Sequence, residues 1–167
     1  MTATADLFKQ GMSKLEGGVT IVTASQEGVP AGLTATAVCS LSAHPPRLLA
    51  CINRAGTTYG VITQCRHFCV NVLSADDRDL AARFAGVGAV PPPERFATGL
   101  WGSLKTGAPV LETALAAFDC RVASIIDTGS HAIIIGDVED IRAGAGGEPL
   151  LYMDGRFSTL APLAAAR

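Results

Sequence analysis

Three groups of residues carry side chains whose types and spacing could do chemistry. The stretch Asn53-Arg54-Ala55-Gly56-Thr57-Thr58 puts a guanidinium, two hydroxyls and a glycine where a β-prone run gives way to a helical one. Free amides at a helix start, with hydroxyls and a guanidinium nearby, can cradle a phosphate; ordinary capping of the helix by Thr57 accounts for the same residues. Thr34, Thr36, Ser40 and Ser42 recur at even spacing within residues 32–42, so on one continuous strand their hydroxyls share a face. Such a face suits the polar edge of a flat heterocycle, with Ala35 and Ala37 keeping the walls thin, and it equally suits a solvated strand surface. His131 opens a strand directly after a turn, with Ile133 and Ile135 on its own side. That places it at a sheet or barrel rim, either beside a ligand or as a structural edge residue.

Other chemistries lack their signatures. There is no Gly-x-Gly-x-x-Gly after a strand, no phosphate loop ending in Gly-Lys-Ser/Thr, and no Gly-x-Ser-x-Gly nucleophile turn. A hydrolase built on His131, Asp137 or Ser130 would have no nucleophile motif behind it. Cys65, His67 and Cys69 suggest metal ligands, but strand alternation sets Cys69 beside Asn71 and no second ligand cluster follows, so a buried thiol and no metal site are expected. The net charge is −2 with no run of Lys or Arg, which argues against a nucleic-acid partner. No apolar stretch is long enough to cross a bilayer, and the first ten residues lack a basic start followed by an apolar block. Five cysteines, none in a Cys-x-x-Cys pair, fit free thiols in a cytoplasmic protein.

The elements that must position these residues follow from periodicity. Leu7, Phe8, Met12 and Leu15 line one side of an N-terminal helix capped by Asp6 and stopped by Gly17-Gly18. The β-branched run 19–24 and the stretch after Glu27-Gly28 read as a hairpin, with 32–42 as one strand. Pro45-Pro46 interrupts the chain; 47–53 resumes as a strand, 55–64 as a short helix and 67–73 as a strand. Ala75-Asp76-Asp77 begins a second helix that runs to Gly86, followed by a Gly- and Pro-rich loop over 87–93. Residues 114–126 and 131–142 form a long hairpin, and Asp154-Gly155 turns a final short one. The alanine-rich end, 164–167, is expected to fray.

Strands dominate without regular strand-helix alternation, so the expected fold is mainly β with peripheral helices, an antiparallel barrel rather than a doubly wound sheet. The 167 residues suit a single domain. With 49% of residues apolar and 17% charged, a homodimer would absorb the surplus apolar surface.

Taken together, Gly17-Gly18-Val19-Thr20-Ile21-Val22-Thr23, residues 32–42 with Pro45-Pro46 close behind, Phe68-Cys69-Val70-Asn71-Val72-Leu73, and Gly129-Ser130-His131 with Ile135-Gly136-Asp137-Val138 resemble the flavin reductase-like family, in particular the reductase components of two-component flavin monooxygenases. The similarity runs from about residue 8 to 160 and includes Pro149-Leu150-Leu151-Tyr152. It implies a Greek-key split β-barrel that binds FMN, a homodimer with the flavin near the subunit interface, and reduction of FMN, or of FAD, by NADH or NADPH. By matching motifs, Thr34, Ala35, Thr36 and Ser40 would line the isoalloxazine. Cys51, Asn53, Thr57 and Thr58 would approach the ribityl chain and phosphate with Arg54 near them, and Arg83-Phe84-Ala85 would add flavin contacts. His131 would lie where nicotinamide stacks on the flavin, as the residue closest to the chemistry, with Tyr152 close to the same pocket.

The implied activity supplies reduced flavin to a partner oxygenase. Two rivals keep the same fold: a reductase that retains its flavin and passes electrons to another acceptor such as a corrinoid, and a non-enzymatic flavin- or haem-binding split-barrel module.

Overall fold

The structure, a computed structural model, describes residues 3–161. Its first element, helix α1 (Ala5–Met12), is capped by Thr4, whose side chain accepts a hydrogen bond from the Leu7 amide at 3.3 Å. Asp6 therefore sits in the first turn, where its charge opposes the helix dipole, and is not the cap. The helix stops at Met12, and Gly17–Gly18 form a short strand, β1, instead of the helix terminator expected. No α1 residue is buried; Leu7, Phe8 and Met12, with Leu15 just beyond, leave their apolar stripe in solvent, Phe8 being 64% exposed.

A seven-stranded antiparallel sheet makes up most of the molecule. It comprises β2 (Thr20–Gln26), β3 (Val29–Ala35), β4 (Val38–Ala43), β5 (Pro46–Asn53), β6 (His67–Val72), β9 (Ala116–Asp127) and β10 (His131–Ala143). The spatial order is β3-β2-β6-β9-β10-β5-β4. Strands β7 (Trp101–Ser103) and β8 (Pro109–Leu111) form a separate ribbon, and β11 (Leu151–Met153) and β12 (Arg156–Ser158) make a small sheet with β1. The β2–β3 turn has positive φ at both Glu27 and Gly28, as a two-residue hairpin of this hand requires.

Residues 32–42 do not form one strand. β3 ends at Ala35, Thr36 and Ala37 leave the ladder, and β4 begins at Val38 on the opposite flank of the strand order. A register shift between Ser40 and Ser42 further breaks the alternation. The even spacing of the four hydroxyls consequently does not translate into one shared face.

Helix α2 (Thr57–Cys65) follows β5, and its Ile62 enters the main core with Val22, Ile52, Phe68, Val70 and Ile134. A second core lies on the other side of β2, where Val19, Ile21 and Leu73 meet Phe84, Leu111 and Leu150. Both faces of β2 are thus buried, which is why it reads as an unbroken β-branched run. Residues Ala75–Asp77 make a 3-10 turn closed by a reciprocal Ser74/Asp77 box, and only then does α3 (Arg78–Phe84) begin. The loop beyond it holds two further short 3-10 turns and leads into β7 and β8, which no sequence pattern foretold.

Two buried polar groups fasten that excursion to the sheet. Asn71 is fully buried; its Oδ1 accepts from the Leu111 amide at 2.8 Å, and its Nδ2 donates to the Ile21 carbonyl and Thr23 Oγ1. Asp119, also fully buried, accepts from the Thr106 amide at 2.6 Å and from its hydroxyl at 2.5 Å. No helix among the described residues is long and apolar enough to cross a membrane. The alanine-rich segment 164–167 lies outside the described residues.

Candidate functional site

The Thr36–Ala37 link crosses over the end of β5, where the Cys51 amide donates to the Ala37 carbonyl at 2.9 Å. Beside this crossing is a cavity of roughly 540 Å3, within the size range of small-ligand sites. Its wall brings together Thr34, Ala35 and Thr36 from the β3 end, Cys51 and Asn53 from β5, and His131 from β10. Asn53 and His131 are opposed in the β5–β10 ladder, so strand pairing itself sets one against the other. Phe84 and Ala85 close the wall from the end of α3, and Gly56 marks the start of α2. A second cavity of roughly 450 Å3 shares Thr34, Ala35, Thr36 and Ala85 and adds Tyr152 and Phe157, extending the groove toward the small sheet.

Local chemistry differs from the sequence reading at several residues. Thr34 Oγ1 donates to the Ala81 carbonyl at 2.6 Å, so this hydroxyl ties β3 to α3 and its proton is engaged. Ser40 stands on exposed β4 and lines a different cavity with Val38, Arg47 and Phe118; the break at Thr36–Ala37 carries it away from Thr34. Gly56, not Thr57, caps α2, and it does so without a side-chain hydrogen bond, which leaves the first helical amides open to an anion. Thr57 is the first helical residue and exposed, Thr58 is buried under the turn, and neither lines the cavity. Arg83 also lies outside the wall, one residue from Phe84. Phe84 is 1% exposed, with its ring set edge-on against Phe96 at 4.9 Å. Gly32 is required beneath it, because a Cβ there would meet the ring at 2.7 Å.

Arg54 is directed away from the cavity. Its Nη1 contacts both Asp127 carboxylate oxygens at 2.6 Å and donates to the Gly129 carbonyl at 2.9 Å, while its amide donates to the Ser130 carbonyl. These bonds clasp the β9–β10 turn. Thr128 reinforces it through its amide and hydroxyl, both donating to the His131 carbonyl. Ser130 Oγ lies 3.0 Å from His131 Nδ1, a contact that ties the ring to the turn.

Arg95, from the 3-10 turn Pro93–Ala97, lines the same cavity as His131. It lies in an aperiodic Pro-rich segment, and the one hint in the sequence is a cation between Glu94 and Phe96. No carboxylate lines this wall among the described residues. Elsewhere, burial pushes the Cys120 thiol up to about 12, with Asp119 and Asp137 adding to it, and burial followed by Asp119 raises Cys69. These are inert packing thiols. Cys65 Sγ donates to the His67 carbonyl at 3.3 Å, and no group of three potential metal ligands occurs among the described residues.

Residues 12–161 match the flavin reductase like domain. The chain belongs to that family. Among curated flavin reductase relatives it is 44% identical over 153 residues to an FMN reductase (NADH) RutF of Agrobacterium fabrum, covering 92% of this chain and 87% of that protein. Among solved structures it resembles BorF, the flavin reductase component of a bacterial two-component tryptophan halogenase, with a TM-score of 0.87 at 28% identity, covering 96% of this chain and 100% of that one. The Streptomyces globisporus NADH:FAD oxidoreductase SgcE6 in complex with NAD and FAD fragments superposes with a TM-score of 0.85 at 28% identity, over 94% of this chain and 93% of that one.

Proposed function

We propose that this chain is an NADH-dependent FMN reductase that hands reduced flavin to a partner oxygenase. The observation that carries this reading is the cavity at the β3–β4 crossing, walled by the family-matching Thr34-Ala35-Thr36, Cys51, Asn53 and His131 and free of carboxylates. Its size, its cation and the uncapped α2 start fit a flat heterocycle bearing a phosphate. The relatives' names fit FMN and NADH, and BorF serves a halogenating partner.

A bound flavin supplies hydride acceptance through its own ring electronics. What the chain contributes is placement. Main-chain groups of residues 34–36, at the free edge of β3, meet the polar rim of the ring. Asn53 and Gly56 face the tail, and the His131 ring orients the nicotinamide from the rim. Cys51 is a wall residue, and Tyr152 with Phe157 offers an aromatic surface along the adjoining groove. Arg54, Thr57, Thr58 and Arg83 act on the site through the backbone they hold rather than by side-chain contact with the ligand.

The wider reading is a single domain over residues 1–167 whose large sheet closes as a Greek-key split barrel. Closure is supported by chain length. Seven strands laid flat would span about 29 Å, yet the two-residue link from Ala35 to Val38 reaches at most about 11 Å, which supports a sheet whose flanks curl together. A homodimer is supported by the exposed stripe of α1 beside a groove of roughly 580 Å3 lined by Phe8, Met12 and Tyr152. Five cysteines, all free, fit a reducing cytoplasm.

Anaerobic NADH added to the FMN-loaded protein tests the central reading. Bleaching of the flavin band supports it, and an unmoved spectrum leaves a binding module. Size exclusion with an absorbance scan separates an exchanging flavin from a retained one, and light scattering reports the dimer.

A further inference from the structure

We propose that Arg95 is the residue that pairs with the phosphate of the bound flavin, an inference that rests on the flavin-reductase reading above. Arg95 lies in the 3-10 turn Pro93–Ala97, within the loop that precedes β7. Three main-chain carbonyls fix its guanidinium. Nε donates to Val90 at 3.0 Å, and Nη1 donates to Gly32 and to Phe84, both at 3.3 Å. These acceptors come from its own loop, from β3 and from the end of α3, so the planar head is held by three separate segments around the cavity.

A guanidinium has five donors. The three named bonds use Nε and both hydrogens of Nη1, and Nη2 has no acceptor among the described residues. The side chain is half-buried and lines the cavity, so its Nη2 edge is open to an anion that enters there. An anion with at least two oxygens matches this edge, because guanidinium and phosphate can form paired, charge-assisted bonds.

Electrostatics in the cavity point the same way. No carboxylate in the wall would neutralise Arg95. The other nearby guanidinium, Arg54, is engaged by Asp127 and the Gly129 carbonyl. The start of α2 at Gly56, without a side-chain cap, lines the same cavity and adds main-chain amides to the same charge preference. FMN offers a terminal phosphate; riboflavin has the same ring and ribityl chain without it.

The test compares the two ligands on one protein. Flavin fluorescence quenching gives Kd for FMN and for riboflavin with wild type, Arg95→Met and Arg95→Lys, at low and raised salt. The expected result is FMN binding weakened about tenfold to a hundredfold in Arg95→Met, riboflavin binding changed less than about twofold, and part of the loss recovered in Arg95→Lys. Wild-type preference for FMN over riboflavin should also shrink as salt rises. Equal weakening of both ligands would assign Arg95 to loop packing or to the ring and overturn the proposal. Unchanged FMN binding would overturn it too, as would an effect confined to the KM for NADH, which would move the contact to the dinucleotide's phosphates. A wild-type protein that binds FMN and bleaches with NADH while Arg95→Met matches it refutes this inference alone; a wild type that binds neither flavin removes the reading beneath it.

Discussion

Replacing Asn71 with Leu isolates one buried polar junction between the sheet and the loop that walls the site. Leucine is close in size, so the perturbation is chemical rather than volumetric. The Ile21 carbonyl sits within the β2 ladder, and Thr23 Oγ1 still donates to the Pro109 carbonyl at 2.5 Å, so those two groups retain partners. The Leu111 amide does not: Asn71 Oδ1 is the acceptor recorded for it, and both residues are fully buried. An orphaned buried N–H costs about 1–3 kcal/mol, and the lost Nδ2 bonds add to it, for a net of about 2–3 kcal/mol. At about 2–4 °C per kcal/mol for a chain of this size, Tm should fall by about 5–10 °C. Thermal unfolding followed by circular dichroism reads the shift. Native-state hydrogen exchange at the Leu111 amide should lose protection disproportionately, since opening there no longer breaks a bond. A Tm within about 2 °C of wild type, or unchanged exchange at Leu111, would refute the assignment of Asn71 as the tie.

Three further outcomes follow from the site and its surroundings. Arg54→Met removes an ion pair whose partners are 38% and 56% exposed, so stability should change by about 1 kcal/mol or less. Its KM for NADH should nevertheless rise severalfold through the loosened His131 turn, with little further loss when His131→Ala is added; additive effects would uncouple the two residues. FMN should slow alkylation of Cys51 at about pH 8 while leaving exposed Cys39 unaffected, with Cys69 and Cys120 unlabelled until unfolding; peptide mass spectrometry showing no protection of Cys51 would place the ligand elsewhere. Hydrogen bonds from Lys105 and then Arg121 hold the Glu139 carboxyl below its ordinary value of 4.5. Because the folded value is depressed, this contribution is present above pH 4.5 and lost as pH falls through the lowered value, so the Tm gap between wild type and Glu139→Gln should close as the solution is acidified below pH 4.5; a gap that widens on acidification would contradict the ion pair.

The sequence carried the hairpins well, because their signals are local. Glu27-Gly28 and Asp154-Gly155 sit at turns with positive φ, and the 19–24 run is buried on both faces as its β-branched composition demands. Asn53 and His131 fall on one cavity wall, a juxtaposition set by the β5–β10 ladder and not by any local period. What failed was continuity. Period two across residues 32–42 holds only while the chain stays in one ladder, and the Thr36–Ala37 exit resets it, so Ser40 lines a different cavity from Thr34. A guanidinium near a helix start looks the same in sequence whether it faces a ligand or a carboxylate, and Arg54 pairs with Asp127, 73 residues away. Arg95 carries no local signal because two of its three carbonyl acceptors, Gly32 and Phe84, lie outside its own loop, and that loop has no period to read.

The strand order also sets an assembly problem. Neighbouring segments give three self-contained hairpins, β2–β3, β4–β5 and β9–β10, while the joins of β2 to β6, β6 to β9 and β10 to β5 unite stretches far apart along the chain. Those long-range joins impose a slow conformational search that short helical bundles avoid. Thr34 belongs to the first hairpin, Cys51 to the second and His131 to the third, so whatever fills the hollow between them touches all three pieces at once. Occupancy there doubles as a rivet, and the folded population should grow with ligand concentration by simple mass action.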